Sequence, residues 1–340
     1  VFSINFTHRE KVLSLAAAGH YAAPREVGFR DTSAVEMREL IGEIESGRPW
    51  REAVATRYAK NKNWLYRIVT DPSRTAFFNS VLPAGNGVVL DIGSGWGQIA
   101  RPLAATRPVV ALEPVAERLA FIRAAARQEG VHGRMASVES DYFEIDFATR
   151  FSAICAIGVL EWAGAFQGLV EPQERQKAFL SKCRKELDTG GSLILGIENR
   201  LGLKYLLGCP DDHLGVPHIA CLSADLARRH WQKSSGHPLQ SFTYSLRELE
   251  TMLHKAGFSD CEFFATFPDY KLPRQIISLA DGGIALNQWL LSSTIPSEHN
   301  GYDGSPLDPA FQISLADHYR TLASESIAQH FVPSFFVRAS

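Results

Sequence analysis

Residues Val88 to Ile99 read VVLDIGSGWGQI, an apolar run that ends on an acid and opens into three glycines at alternate positions. Val88, Val89 and Leu90 are short and apolar with two β-branched members, which suits a strand buried on both faces of a parallel sheet. Asp91 ends it. Gly93, Gly95 and Gly97 permit a turn with positive φ and a close approach of a ligand to the backbone, before Gln98-Ile99-Ala100 begins a helix. A nucleotide-like ligand is the natural occupant. The dinucleotide fingerprint places its third glycine three residues after the second, and here position 98 is Gln, so a nicotinamide cofactor ranks second.

The next strand, Pro108 to Leu112, ends at Glu113, 22 residues after Asp91. An acid there either accepts two hydrogen bonds from a ribose diol or caps the following helix, Val115 to Glu129. An acid ahead of GxGxG resembles the first motif of the class I S-adenosylmethionine (SAM)-dependent methyltransferases. The resemblance implies a loop, Gly93, Ser94, Gly95 and Gly97, packed against the methionine part of SAM, with Asp91 helping to place its amino group. Ser140-Asp141-Tyr142-Phe143 resembles the third-strand motif, which implies Asp141 at the adenine amino group and the Tyr142 amide at the ring. Residues after the fourth strand (Phe151 to Ile157), Gly158 to Trp162, are implied to face the sulfonium, Glu161 being either catalytic or a cap.

Length and composition fit that scheme. The chain has 340 residues, 45% hydrophobic and 21% charged, enough for one large core with an appendage. A formal net charge of −2 offers no global reason for a polyanionic partner, so no nucleic acid is expected. Cys155, Cys183, Cys209, Cys221 and Cys261 are odd in number, scattered and without a CxxC pair, which points to reduced thiols and a cytoplasmic location rather than a disulfide framework or zinc ribbon. No apolar run reaches the length of a membrane span. Val1 stands where a methionine would begin a whole chain, which fits a trimmed chain or a piece of a longer protein.

Residues 1 to about 30, with Gly19, Pro24 and Gly28, read as an ill-defined lead-in. Ser33 to Glu36 reads as a capping box for a helix carrying Met37, Leu40, Ile41 and Ile44, stopped by Gly47-Arg48-Pro49. Further helices are expected over Trp50 to Tyr58 and Pro72 to Leu82. Residues 1–83 are therefore set apart as an N-terminal helical segment, which the resemblance implies is a lid across the SAM pocket, with Tyr58, Trp64, Tyr66 and Arg74 either touching the cofactor or packing on the core. Residues 84–340 form the SAM-binding domain: a doubly wound, Rossmann-like sheet of seven strands with helices on both faces. The helix Pro172 to Asp188 is expected to end at Gly190-Gly191. Strands follow over Ser192 to Ile197, Cys261 to Phe267 and Pro333 to Val337, with a helix from Tyr244 to Ala256. Segments of about 200–243 and 270–332 are inserted caps, and long excursions of this kind tend to be functional.

The first insertion opens at Glu198-Asn199-Arg200 and runs through Lys204 and Tyr205 to Asp211-Asp212-His213; the second opens at Pro268-Asp269-Tyr270-Lys271. With Asn63 to Tyr66 and Gly158 to Trp162, these motifs resemble a bacterial methyltransferase group associated with cell-surface polysaccharide synthesis. That implies a saccharide or saccharide-linked acceptor and a glycosyltransferase as partner or fused domain. A sugar hydroxyl benefits from a general base, for which His213, beside Asp211 and Asp212, ranks first and His218 second. Glu198 enters on its place at the carboxyl end of a strand. For an already ionised acceptor, Arg200, Lys204 and Lys271 become anion holders. Asp211, Asp212, His213 and His218 are the alternative, as ligands of a divalent metal that polarises the acceptor in the manner of some sugar methyltransferases; their spacing matches no metal motif, and no metal is assigned. The reading is thus SAM-dependent O-methylation of a saccharide, with S-adenosylhomocysteine as co-product. The alternatives are methylation of a small natural-product hydroxyl or carboxylate, and a non-catalytic module supporting glycosyltransferases.

Overall fold

The computed structural model describes residues 2–23, 29–165 and 170–340. Val1, Pro24 and Gly28 of the expected lead-in lie outside them. The chain divides into two compact units, Val1–Ala156 with Lys185–Ile194, and Ile157–Arg184 with Leu195–Ser340.

The first unit holds β1 (Ser3–His8), β2 (Lys11–Ala16), β3 (His20–Ala22), β4 (Val89–Ile92), β5 (Val109–Leu112), β6 (Met135–Glu139), β7 (Ile145–Phe147), β8 (Phe151–Ile157, its last residue in the second unit) and the first part of β9 (Leu187–Glu198). Its main sheet runs β9-β8-β4-β5-β6-β3. Every residue of β4, β5 and β6 is buried, as a strand covered on both faces requires. The chain steps outward from β4 through β5 to β6 and returns to lay β8 on the other side of β4, pairing Asp91 with Cys155. This reversal of order is a topological switch point, and the glycine turn opens at its carboxyl end.

Two expectations about the amino-terminal part are corrected. Residues 3–22 are not a featureless lead-in to helices but three strands: β1 and β2 form a hairpin joined to β7, and β3 extends the main sheet beside β6. Ile4, Phe6 and His8 alternate inward along β1, a period of two that drives a half-buried strand. Nor does a unit boundary fall at residue 83. Met37, Leu40, Trp50 and Tyr58, from the helices Ala34–Glu45 and Trp50–Tyr58, share one core with Trp96, Phe121 and Ala125. Ser33 caps the first of these helices, accepting from Glu36 N at 3.1 Å. The helix expected over 72–82 breaks at Phe77 into two four-residue pieces.

The second unit holds the last four residues of β9, then β10 (Cys261–Phe267), β11 (Gln275–Ser278) and β12 (Ser334–Ala339), in the order β11-β10-β12-β9. β10 pairs antiparallel with both β11 and β12. With β4, β5, β6, β8, β9, β10 and β12, the strands expected of the Rossmann-like sheet are present; β3 and β11 are additions. β9 begins earlier than expected, so Gly190 (φ +77°) and Gly191 lie within it, and the preceding helix ends at Glu186. Ser245 and Glu248 form the capping box of the helix Leu246–Lys255. Among the described residues no helix is long and apolar enough to cross a membrane.

Candidate active site

In the first unit the turn after β4 is held by its own backbone. Ser94 N donates to Leu112 O at 3.1 Å, Ser94 Oγ to Asp91 O at 2.8 Å, and Gly97 N to Ser94 O at 2.7 Å. Gly93, Gly95 and Gly97 have φ of 63°, 55° and 75°, the left-handed conformation that glycine takes without strain. The three differ in what lies in front of them. A Cβ on Gly95 would find its nearest neighbour at 3.6 Å, whereas one on Gly97 would lie 2.8 Å from Ile122 Cγ1. Gly97 therefore serves the packing of turn against the helix Ala116–Gln128. Gly97→Ala is expected to cost about 1–2 kcal/mol of stability, the penalty of a side chain in a left-handed conformation. Chemical denaturation checks it, and an unchanged midpoint would refute the packing role.

Asp91 is 2% exposed, and its Oδ2 has no hydrogen-bond partner. Burial pushes its pKa up to about 7, against the pull of Ser94 and Arg74. Glu113 is equally buried, but both of its oxygens are engaged: Oε2 accepts from Gly95 N at 2.9 Å and Oε1 from Val115 N at 3.2 Å. Arg118 Nη1 stands 3.5 Å from Oε1 and also pairs with Asp31, which in turn accepts from Trp96 Nε1 at 3.0 Å. Sequence reading missed Arg118 and Asp31. Arg118 lies in the first turn of the helix Ala116–Gln128 that follows Glu113, while Asp31 comes from a segment with no local signal. Asp141 caps a short turn, accepting from Phe143 N at 2.8 Å, and the Tyr142 side chain is turned inward, its hydroxyl donating to Glu186 Oε2 at 2.7 Å. Tyr66 is half-buried against the helical core, and Tyr58 packs edge-on against Trp96 at 5.9 Å.

The second unit assembles a cluster of charged side chains from four separate segments, joined by Lys204 from the short helix Leu203–Leu206. Two are Asx turns: Asp211 Oδ1 accepts from His213 N and Leu214 N, both at 2.8 Å, and Asp269 Oδ1 from Lys271 N at 2.8 Å and Leu272 N at 2.9 Å. The third segment is the turn following β8, carrying Gly158 and Glu161, and the fourth is Glu198, which ends β9. Glu161 and Glu198 are 1% and 2% exposed. His213 Nε2 stands 3.7 Å from Glu161 Oε1 and 3.5 Å from Glu198 Oε2, with its Nδ1 3.7 Å from Asp211 Oδ1 and its ring edge-on to Trp162. Lys271 Nζ bridges Glu198 Oε1 and, at 2.8 Å, Asp212 Oδ2, and Lys204 Nζ holds Asp212 Oδ1 at 3.0 Å.

These contacts set the charges. Burial works against ionised Asp212, but Lys204 and Lys271 outweigh it and hold its carboxyl well below the usual range. Burial raises the Glu198 pKa against the pull of Lys271 and His213. For His213 burial opposes the charge, yet Glu198, Asp211 and Glu161 outweigh it, so the imidazole stays protonated well above its ordinary 6.5.

Tyr270 completes the site. Its hydroxyl donates to Glu161 Oε1 at 3.2 Å. A Cβ at Gly158 would lie 2.9 Å from that hydroxyl oxygen, and one at Gly196 would lie 3.0 Å from Tyr270 Cδ2. Gly158, expected at the cofactor, is thus required by the approach of Tyr270. Gly301 makes similar room, since a Cβ there would overlap the Asp212 carboxylate.

Of the residues singled out for acceptor chemistry, His213, Asp212 and Glu198 come together and His218 does not. His218 is exposed, takes φ of 63° and lies beside Gly208, outside the cluster. Arg200 is committed to Glu248 through two bonds of 2.7 and 2.9 Å. Asp212, ion-paired twice, orients Lys204 and Lys271 rather than the imidazole.

Residues 89–191 match the methyltransferase domain family. No curated protein matches the chain. Among solved structures, the CcbJ methyltransferase from Streptomyces caelestis is 20% identical, with a TM-score of 0.43 over 60% of this chain and 84% of that one. A SAM-dependent methyltransferase from Thermotoga maritima is 17% identical, with a TM-score of 0.39 over 85% of this chain and 99% of that one. The glycopeptide N-methyltransferase MtfA in complex with S-adenosylhomocysteine is 23% identical, with a TM-score of 0.31 over 38% and 52%.

Proposed function

We propose that this chain, a SAM-dependent methyltransferase of the class I fold, methylates a hydroxyl oxygen of a saccharide or saccharide-linked acceptor held at the Glu161–Glu198–His213 cluster. The observation that carries the reading is the charge pairing around that cluster. Lys204, Lys271 and Arg200 are all committed to carboxylates, so an anionic acceptor would have to break an ion pair to find a cation. Buried carboxylate oxygens with spare lone pairs suit instead a neutral acceptor rich in hydroxyl donors. The alternative of a carboxylate acceptor is disfavoured on the same ground. A glycosyltransferase partner and a cytoplasmic setting follow from the polysaccharide reading and rest on it.

The residues of the first unit fit the methyl donor. The unpartnered Asp91 Oδ2 suits the amino group, and the open face of Gly95 suits close approach of the methionine part. Gly93 and Ser94 shape that turn, and Gly97 supports it from behind. Glu113 keeps acceptor capacity for the ribose hydroxyls, Asp141 and the Tyr142 amide serve the adenine, and Tyr66 is assigned to the cofactor. SAM supplies an electrophilic methyl group. The acceptor oxygen forms a bond to the methyl carbon as the carbon–sulfur bond breaks, S-adenosylhomocysteine leaves, and the hydroxyl proton passes to the cluster.

Incubating the chain with methyl-labelled SAM and a panel of nucleotide sugars and glycan fragments tests the acceptor class. Label in a sugar ether supports it; label only in a small non-sugar acid overturns it. Asp91 adds a pH signature. Its carboxyl is protonated in the free protein below pH 7 and must ionise to pair with an ammonium. SAM affinity should therefore rise about tenfold per unit up to about pH 7 and then level. Calorimetry between pH 5 and 7.5 reads this directly, and a flat profile removes Asp91 from the ammonium.

A further inference from the structure

Three donor atoms converge in the second unit: one oxygen each from Glu161 and Glu198 and a ring nitrogen of His213, all within 4.8 Å of one another. A divalent cation with bonds of about 2.0–2.2 Å separates its ligands by about 3–4 Å, close to the 3.5 and 3.7 Å found from His213 Nε2 to the two carboxylates. Independently of this spacing, Glu198 Oε2, the oxygen that faces the imidazole, and Glu161 Oε2 are buried without a hydrogen-bond partner. An orphaned carboxylate oxygen in the interior is costly unless something electropositive meets it.

The charges agree. Glu198 and Asp212 are ion-paired with Lys204 and Lys271, while Glu161 and Asp211 face the His213 imidazole. A divalent cation bound to Nε2 would set positive charge against Glu161 and Glu198 together. Asp211 Oδ1, 3.7 Å from Nδ1, stands on the far side of the ring, where a carboxylate orients a metal-bound histidine through its other nitrogen.

We propose that Glu161, Glu198 and His213 bind one divalent cation of the Mn²⁺ or Mg²⁺ type. Two carboxylates and one imidazole suit such an ion, and three protein ligands leave positions open for the acceptor. The inference deepens the acceptor reading above and rests on it only for what the ion does: it would bind the acceptor hydroxyl and lower its pKa, with the proton leaving to the cluster's remaining carboxylate oxygens.

The test is binding of Mn²⁺ alone to the chelator-stripped full chain, followed by loss of the free-ion signal in electron paramagnetic resonance. One ion per chain is expected. Glu161→Gln, nearly isosteric and away from the lysines, should weaken binding at least tenfold while circular dichroism and SAM affinity stay as in the parent, and His213→Ala should do the same. No Mn²⁺ uptake at millimolar concentration, or uptake equal in the parent and both variants, overturns the site. The acceptor reading fails separately: Mn²⁺ bound with the expected dependence, but no methyl transfer to any saccharide, removes the sugar and leaves the cation. Sugar methylation that persists in chelator without Mn²⁺ uptake does the reverse.

Discussion

His213→Ala should lower kcat by about 10²–10⁴-fold, the range of a side chain that acts on the acceptor in the transition state, while the SAM dissociation constant stays near that of the parent. The split is the informative part. His213 belongs to the second unit and touches Glu161, Glu198, Asp211 and Trp162, whereas the residues assigned to SAM are nearly all in the first. A purely structural histidine would lose both together when removed, because a disturbed fold weakens cofactor binding as well. Single-turnover methyl transfer with calorimetry of SAM separates the cases. A fully active variant ends the candidacy of His213 as a group that acts on the acceptor.

Glu113→Ala should weaken SAM binding by about 1–3 kcal/mol, through loss of charge-assisted hydrogen bonds to the ribose. That is roughly a five- to 150-fold rise in dissociation constant. The structure adds a second route to the same loss. Glu113 holds the amides of Gly95 and Val115, so its removal also frees the glycine turn, and it leaves Arg118 with Asp31 alone. Glu113→Gln keeps an acceptor for the amides but not the charge, and should fall between Ala and the parent. Unchanged SAM affinity in both variants would remove the ribose role.

Much of the fold is legible from local pattern because its strands obey local rules. The limits read for Phe151–Ile157 and Cys261–Phe267 coincide with those observed, and Val109–Leu112 differs by one residue at its start. A buried parallel strand needs a continuous apolar run, and each of these has one or alternates cleanly. The errors have equally local causes. Ser3-Ile4-Asn5-Phe6-Thr7-His8 carries a period-two signal that was available, but nearby Gly19, Pro24 and Gly28 gave the whole region the look of loop. Gly190-Gly191 resembles a helix stop, yet Gly191 packs so tightly that a Cβ would lie 2.8 Å from Phe151 O, a requirement set by the neighbouring strand.

What the sequence by itself determined is the strand and glycine turn of Val88 to Ile99, with Asp91, Glu113 and Asp141 near successive strand ends, the residues proposed above for the methyl donor, because such a turn is built from residues close in the chain with φ angles that name glycine. The acceptor side was decided only by tertiary structure. Glu161, Glu198, His213 and Tyr270 come from four segments spread over more than a hundred residues, and no spacing rule links them. Their charges are likewise set by partners distant in the chain: Lys271 on Glu198 and Asp212, Glu161 and Glu198 on His213. Electrostatic fields depend on distance in space and on burial, and neither can be read along the chain.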